Sequence, residues 1–198
     1  TLVSGSVAPE DEVELFPARR RVRVRGVQSG ERSVERAFAG QRTALNLAGV
    51  DLSEVHRGMV LATPGRFQTI RRIDARVSLL ASARRMKNRT RVHFHQGTAS
   101  TVAEVILLDR TELYPGESAF AQLRLDEPVL VLPGDRFILR QFSPVVTIGG
   151  GVALDVLADR HRLRDTGVIP FLEALERGSR PDIFSALAAA TPQGLELS

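Results

Sequence analysis

His93 and His95 stand two residues apart in an alternating run, Arg91-Val92-His93-Phe94-His95. A period of two puts both imidazoles on one face of a strand, where they can hold a metal, touch RNA or form a wetted surface. No third ligand accompanies them. The chain has no cysteine and no His-Glu-x-x-His run, so no metal site is expected. The cations gather in two stretches, residues 19–25 and 84–91, and almost all are arginine, with Lys87 the only lysine. Planar guanidinium forks fit phosphate and carboxylate. Nucleic-acid binding depends on where such charge sits more than on the total, which is +4. Residues 19–25 alternate arginine with valine as any half-exposed strand does, and read as a charged strand face. There is no Gly-x-x-x-x-Gly-Lys-Ser/Thr loop to cradle phosphates; Gly149-Gly150-Gly151 lacks the following lysine. No nucleophile-elbow sequence is present either, and no catalytic residue is expected.

The elements that must carry these side chains read as short strands between turn signals. Val22, Val24 and Val27 face a core while Arg21, Arg23 and Arg25 face water. Further strands are expected over 34–37, 41–47 and 59–62, with one helical turn over 51–54 capped by Asp51. Pro64-Gly65 breaks the pattern. It restarts over 73–80, 91–95, 101–108, 118–125 and 135–140, with turns at Gly97-Thr98, Pro115-Gly116 and Pro133-Gly134. The three glycines then interrupt what would otherwise be another strand, the mark of a bulge, a bend or a close backbone approach. Closed or sandwiched antiparallel sheets follow from this density of strands. The chain is expected to be mainly β, with two tandem antiparallel β-barrels over 1–68 and 69–157 and a helical segment over 158–198. Helices are expected at 170–177, stopped by Gly178, and at 181–190, with proline first.

The 198 residues, 43% hydrophobic and 25% charged, suffice for one large or two small domains with a real core. No apolar run is long enough to cross a bilayer as a helix. Residues 1–5 read like the inside of a strand, as if the chain were cut from something longer, and the absence of a signal layout fits a cytoplasmic protein.

Four stretches, in order, resemble domains II and III of a translational GTPase. They are Val24-Arg25-Gly26-Val27-Gln28 with Ala37-Phe38-Ala39-Gly40-Gln41-Arg42-Thr43-Ala44-Leu45-Asn46-Leu47, Val55-His56-Arg57-Gly58-Met59-Val60-Leu61, His93-Phe94-His95-Gln96-Gly97-Thr98, and Gly134-Asp135-Arg136-Phe137-Ile138-Leu139-Arg140 with Ser143-Pro144 and Thr147-Ile148-Gly149-Gly150-Gly151. The His-x-Gly-Thr and Thr-Ile-Gly-Gly-Gly elements are similar to those of the selenocysteine-specific elongation factors, relatives of elongation factor Tu that deliver selenocysteinyl-tRNA to the ribosome. The alternative is the same region of another translational GTPase, such as elongation factor Tu or an initiation factor gamma-like protein. A stand-alone two-barrel enzyme or scaffold is the reading from a different class.

The resemblance implies that a GTPase domain binding GTP and Mg precedes this chain, which itself needs no cofactor and is not expected to be an enzyme. It implies that the segment after 157 begins a winged-helix extension that binds the selenocysteine insertion hairpin of the messenger. Arg57, in the Arg-Gly motif, then faces the aminoacyl group; otherwise it is a loop residue paired with Asp51 or Glu54. Arg84, Arg85, Lys87, Arg89, Arg91 and His95 become candidates for tRNA contact, against a solvated charged loop. Gly149, Gly150 and Gly151 would lie near the contact with the GTPase domain.

Overall fold

A computed structural model of the chain describes residues 1–161 and 166–178. It divides into two compact units, Thr1–Thr69 and Ile70–Ser198. The strands in chain order are β1 (Ser6–Val7), β2 (Glu12–Phe16), β3 (Arg20–Ser29), β4 (Arg32–Ser33), β5 (Ala37–Phe38), β6 (Thr43–Leu47) and β7 (Val60–Ala62) in the first unit. The second holds β8 (Ile70–Leu79), β9 (Met86–Lys87), β10 (Thr90–Gln96), β11 (Ala99–Leu107), β12 (Glu112–Leu113), β13 (Ser118–Val129), β14 (Arg136–Arg140) and β15 (Thr147–Asp155), followed by one helix, α1 (Ile169–Arg177). The fold is mainly β, as the turn and strand signals demand.

In the first unit β3 is the spine. It pairs with β2 along its first half and with β6 and β4 along its second, while β7 pairs with the far side of β2. β1 and β5 form a separate two-stranded ribbon. Val22, Val24 and Val27 are buried and Arg21, Arg23 and Arg25 exposed. The step of three between Val24 and Val27 is a register shift at Gly26, which returns the valines to the core face. The strand expected over 34–37 is instead β4 and β5, because the chain leaves the β3 hairpin after Ser33 to pair with β1. Residues 1–5 carry no strand.

The second unit is a closed antiparallel barrel in the order β10-β11-β13-β8-β15-β14, β14 closing on β10. β9 and β12 make a ribbon beside it. Alternate residues of β8 (Ile73, Ala75, Val77, Leu79) and of β13 (Ala119, Ala121, Leu123, Leu125) fill its interior. Phe94 and Phe137 join them with ring centroids 5.1 Å apart.

The triple glycine does not interrupt a strand; β15 runs straight through it. A Cβ on Gly149 would lie 2.3 Å from the Ser78 carbonyl oxygen, one on Gly150 2.5 Å from that of Phe137, and one on Gly151 2.1 Å from that of Arg76. The close backbone approach that these residues permit is therefore the barrel's own, with β8 on one side and β14 on the other. Helix α1 starts with Pro170 in its first turn and stops at Gly178 at φ 68°, as the proline and glycine signals require. It lays Leu172 against Leu108, Phe120 and Leu154 on the outside of the barrel. The helix expected over 181–190 lies outside the described residues.

Candidate functional site

Arg57 sits in a tight turn, closed by Met59 N–H donating to the His56 carbonyl at 3.2 Å, with Gly58 at φ 99°. Only glycine takes that backbone freely, so the Arg-Gly pair fixes the turn that presents the guanidinium. Arg57 is exposed, and among the described residues its side chain has no ion pair or hydrogen bond. The alternative partner Glu54 is engaged elsewhere. Its Oε1 accepts from Arg20 Nη1 at 3.0 Å and its Oε2 from the Asp51 backbone N–H at 2.8 Å, closing a capping box on the 3-10 turn Leu52–Glu54. The Asp51 amide first, and Arg20 after it, hold the Glu54 carboxyl below the usual carboxylate range. The other arm of Arg20 donates to the Gly49 carbonyl. One guanidinium on β3 thus pins both ends of residues 49–54, just ahead of the Arg57 turn.

Arg20 is absent from the set that the sequence suggested. Only the local half of the arrangement, the Asp-x-x-Glu box, has a sequence signature. Glu14 on β2 makes a comparable tie, to residue 65. Almost fully buried, it accepts from Gly65 N–H at 2.9 Å and from Arg19, and the Gly65 amide above all depresses its pKa.

On the barrel, the basic set divides by partner. Arg85 pairs with Glu112 at 3.1 Å, Arg89 with Glu104 at 3.9 Å, and Arg91 with Asp126. Arg84 and Lys87 are exposed and form no ion pair among the described residues. Arg91, His93 and His95 share the outward face of β10, alternating with buried Val92 and Phe94. The His93 ring lies 4.3 Å from that of Phe142 and 6.3 Å from that of His95. Arg84 and Arg85 lie in the connection from β8 to β9, Lys87 on β9, and Arg89 in the turn before β10 at φ 64°. The set therefore combines a strand face with a neighbouring loop. Gly149, Gly150 and Gly151 have their backbones paired with β8 and β14. They are spent inside the sheet and offer no loop of free amides to a phosphate.

Two family descriptions match the chain. Residues 1–62 match elongation factor Tu domain 2, and residues 71–160 match the β-barrel domain of the selenocysteine-specific elongation factor. A selenocysteine-specific elongation factor of Desulfomicrobium baculatum is 39% identical over 82% of this chain and 26% of the relative. One of Haemophilus influenzae is 28% identical over 88% of this chain and 28% of the relative. The chain thus spans about a quarter of the length of these two proteins. With two units of the matching kinds in the matching order, the chain belongs to the selenocysteine-specific elongation factor family, over its domain 2 and β-barrel regions.

Proposed function

We propose that this chain is the part of a selenocysteine-specific elongation factor that grips selenocysteinyl-tRNA, with Arg57 facing the selenium atom. The observation that carries the reading is an exposed guanidinium with no acid partner among the described residues, on a turn stiffened by glycine and braced by Arg20 and Glu54. A selenol is a stronger acid than a thiol and is ionised at neutral pH, whereas serine's hydroxyl is neutral. A cation about 4 Å from the selenolate favours it by about 1 kcal/mol in water and about 4 kcal/mol in a partly dry pocket. That is a preference between about fivefold and several hundredfold, absent for serine.

The second unit supplies the grip on RNA. Shape recognition of an A-form stem needs phosphate and 2′-hydroxyl contacts from a cationic face. Arg84 and Lys87 carry their charge uncompensated and are the stronger phosphate ligands of the set. Arg85, Arg89 and Arg91 must exchange an acid partner for a phosphate, and so contribute less each. His95 offers a ring nitrogen on the same face. GTP and Mg are assigned to a GTPase domain of the parent, and Gly149, Gly150 and Gly151 to the barrel wall beside it. Residues 1–68 act as domain II, 69–157 as domain III and 158–198 as the beginning of the extension that reads the messenger hairpin. The ribosome is the destination and the cytoplasm the place.

The experiment is equilibrium binding of the intact factor to selenocysteinyl-tRNA and its seryl precursor, with Arg57→Ala beside the parent protein. Selective loss for the selenocysteinyl form supports the reading. Equal loss for both, or none, overturns the pocket assignment.

A further inference from the structure

Outside the barrel, β8 and β13 present a ladder of paired side chains. Register puts Ser78 opposite Ser118, Arg76 opposite Phe120, Asp74 opposite Gln122 and Arg72 opposite Arg124. All point away from the core. Ser78 and Ser118 share a hydrogen bond of 2.7 Å, and the Arg76 guanidinium covers the Phe120 ring at 4.6 Å. The next rung is unusual: Asp74 and Gln122 are completely buried although they stand on the outer wall. What covers them is the chain's own continuation after β15.

That continuation is bound almost wholly by polar contacts to this rung and the one below it. Gln122 Nε2 donates to Asp74 Oδ1 at 2.9 Å and to the Asp159 carbonyl at 2.6 Å. The His161 backbone N–H donates to Gln122 Oε1 at 3.2 Å, and His161 Nε2 lies 2.7 Å from Asp74 Oδ2. Arg124 donates to the His161 carbonyl and Arg72 to the Ala158 carbonyl. Helix α1 then lies across the Phe120 rung, with Glu176 at 3.6 Å from Arg76.

We propose that residues 158–161 and helix α1 are a strap locked to the barrel by the Asp74–Gln122–His161 cluster, and that these two pieces come off together while the barrel stays folded. The two attachments differ in kind. The barrel strands are held by an unbroken hydrogen-bond ring around a continuous apolar core, whereas the strap has a small apolar footprint under Leu172 and a buried carboxyl. Segments so attached open at lower free energy than the global unit.

A buried carboxyl also makes the lock respond to protons. Desolvation, only partly offset by Gln122 and His161, raises the Asp74 pKa from 3.8 to about 6. The other charge acting on it is Asp155 on β15, which raises it further; Arg72 and Arg76 flank it on the same face of β8, Arg124 flanks Gln122 on β13, and Glu176 reaches Arg76 from α1. With the strap open, Asp74 regains water and an ordinary pKa. Its contribution to docking is thus fully present below pH 3.8 and is lost as pH rises through about 6. A shift of two units corresponds to about a hundredfold in the docking equilibrium.

Hydrogen exchange of the full chain tests this, followed amide by amide and normalised to intrinsic rates. We expect the α1 amides to exchange faster than those of Val77, Val105 and Leu123 in the barrel wall. Their protection should fall by up to about thirtyfold between pH 4.5 and 8, the part of the full effect that lies in that range. Asp74→Asn keeps the acceptor oxygen without the charge and should flatten that pH dependence. His161→Ala, a change on the strap and not on the barrel, should speed exchange in α1 alone. The proposal is overturned if α1 and the barrel wall exchange together, if Asp74→Asn keeps the pH dependence of the parent, or if His161→Ala loosens both equally.

Discussion

Arg57 acquires its meaning from what Glu54 is doing. A carboxylate three residues away would neutralise it, and Arg20 prevents this by holding Glu54 on β3. Arg20→Ala in the intact factor is therefore expected to release Glu54 toward Arg57 and to reduce the preference for selenocysteinyl- over seryl-tRNA. The double change Arg20→Ala with Glu54→Gln should restore it, because a neutral amide leaves the cation free. Binding of the two tRNAs to both variants checks the pair; failure of the rescue would show that Arg20 acts otherwise. The Asp51–Glu54 box was readable, since a cap and its partner stand at a fixed local spacing. The Arg20 clamp was not, since it joins residues 34 apart and no period in the chain encodes such a pairing. The Asp74–His161 pair escaped for the same reason, and because an outward strand position reads as exposed until a later segment covers it.

Among the elements, β15 has the least room for change. A methyl group on Gly151 would lie 2.1 Å from one carbonyl oxygen and 2.7 Å from the Phe137 ring. Gly151→Ala is expected to destabilise the barrel by about 3 kcal/mol or more, read as a lowered midpoint in urea. The glycine run was legible as a signal of close approach, but not that the approaching backbones are β8 and β14, because strand neighbours are set by barrel closure. The inward valines of β3 were legible from their spacing, whereas the shift at Gly26 that keeps Val27 on the core side shows only in the pairing with β6. The β9–β10 region carries its own prediction. Charge reversal at Arg84 and Lys87 should weaken tRNA binding more, and flatten its salt dependence more, than reversal at Arg85 and Arg91, whose charges are already balanced by Glu112 and Asp126. Titrations across a range of salt would show it. A salt slope unchanged from the parent in both double variants would assign the whole set to a solvated surface.

For the molecule as a whole, the sequence yields the β character, because turn signals and strand periods are local. Which unit closes into a barrel is decided by long-range pairing. The second unit surrounds one core drawn from all six barrel strands, whereas the main cluster of the first rests on Val7, Val24, Val27 and Ala37. Chemical denaturation should accordingly remove protection from β3 amides before β8 amides; simultaneous loss would mean that the units unfold together. The central claim is that Arg57 reads the charge on selenium. It is tested most directly by the ratio of dissociation constants for seryl- and selenocysteinyl-tRNA in the intact factor, with arginine and with alanine at position 57. We predict that the ratio collapses toward one in Arg57→Ala while seryl-tRNA affinity is nearly unchanged. An unchanged ratio would contradict the account.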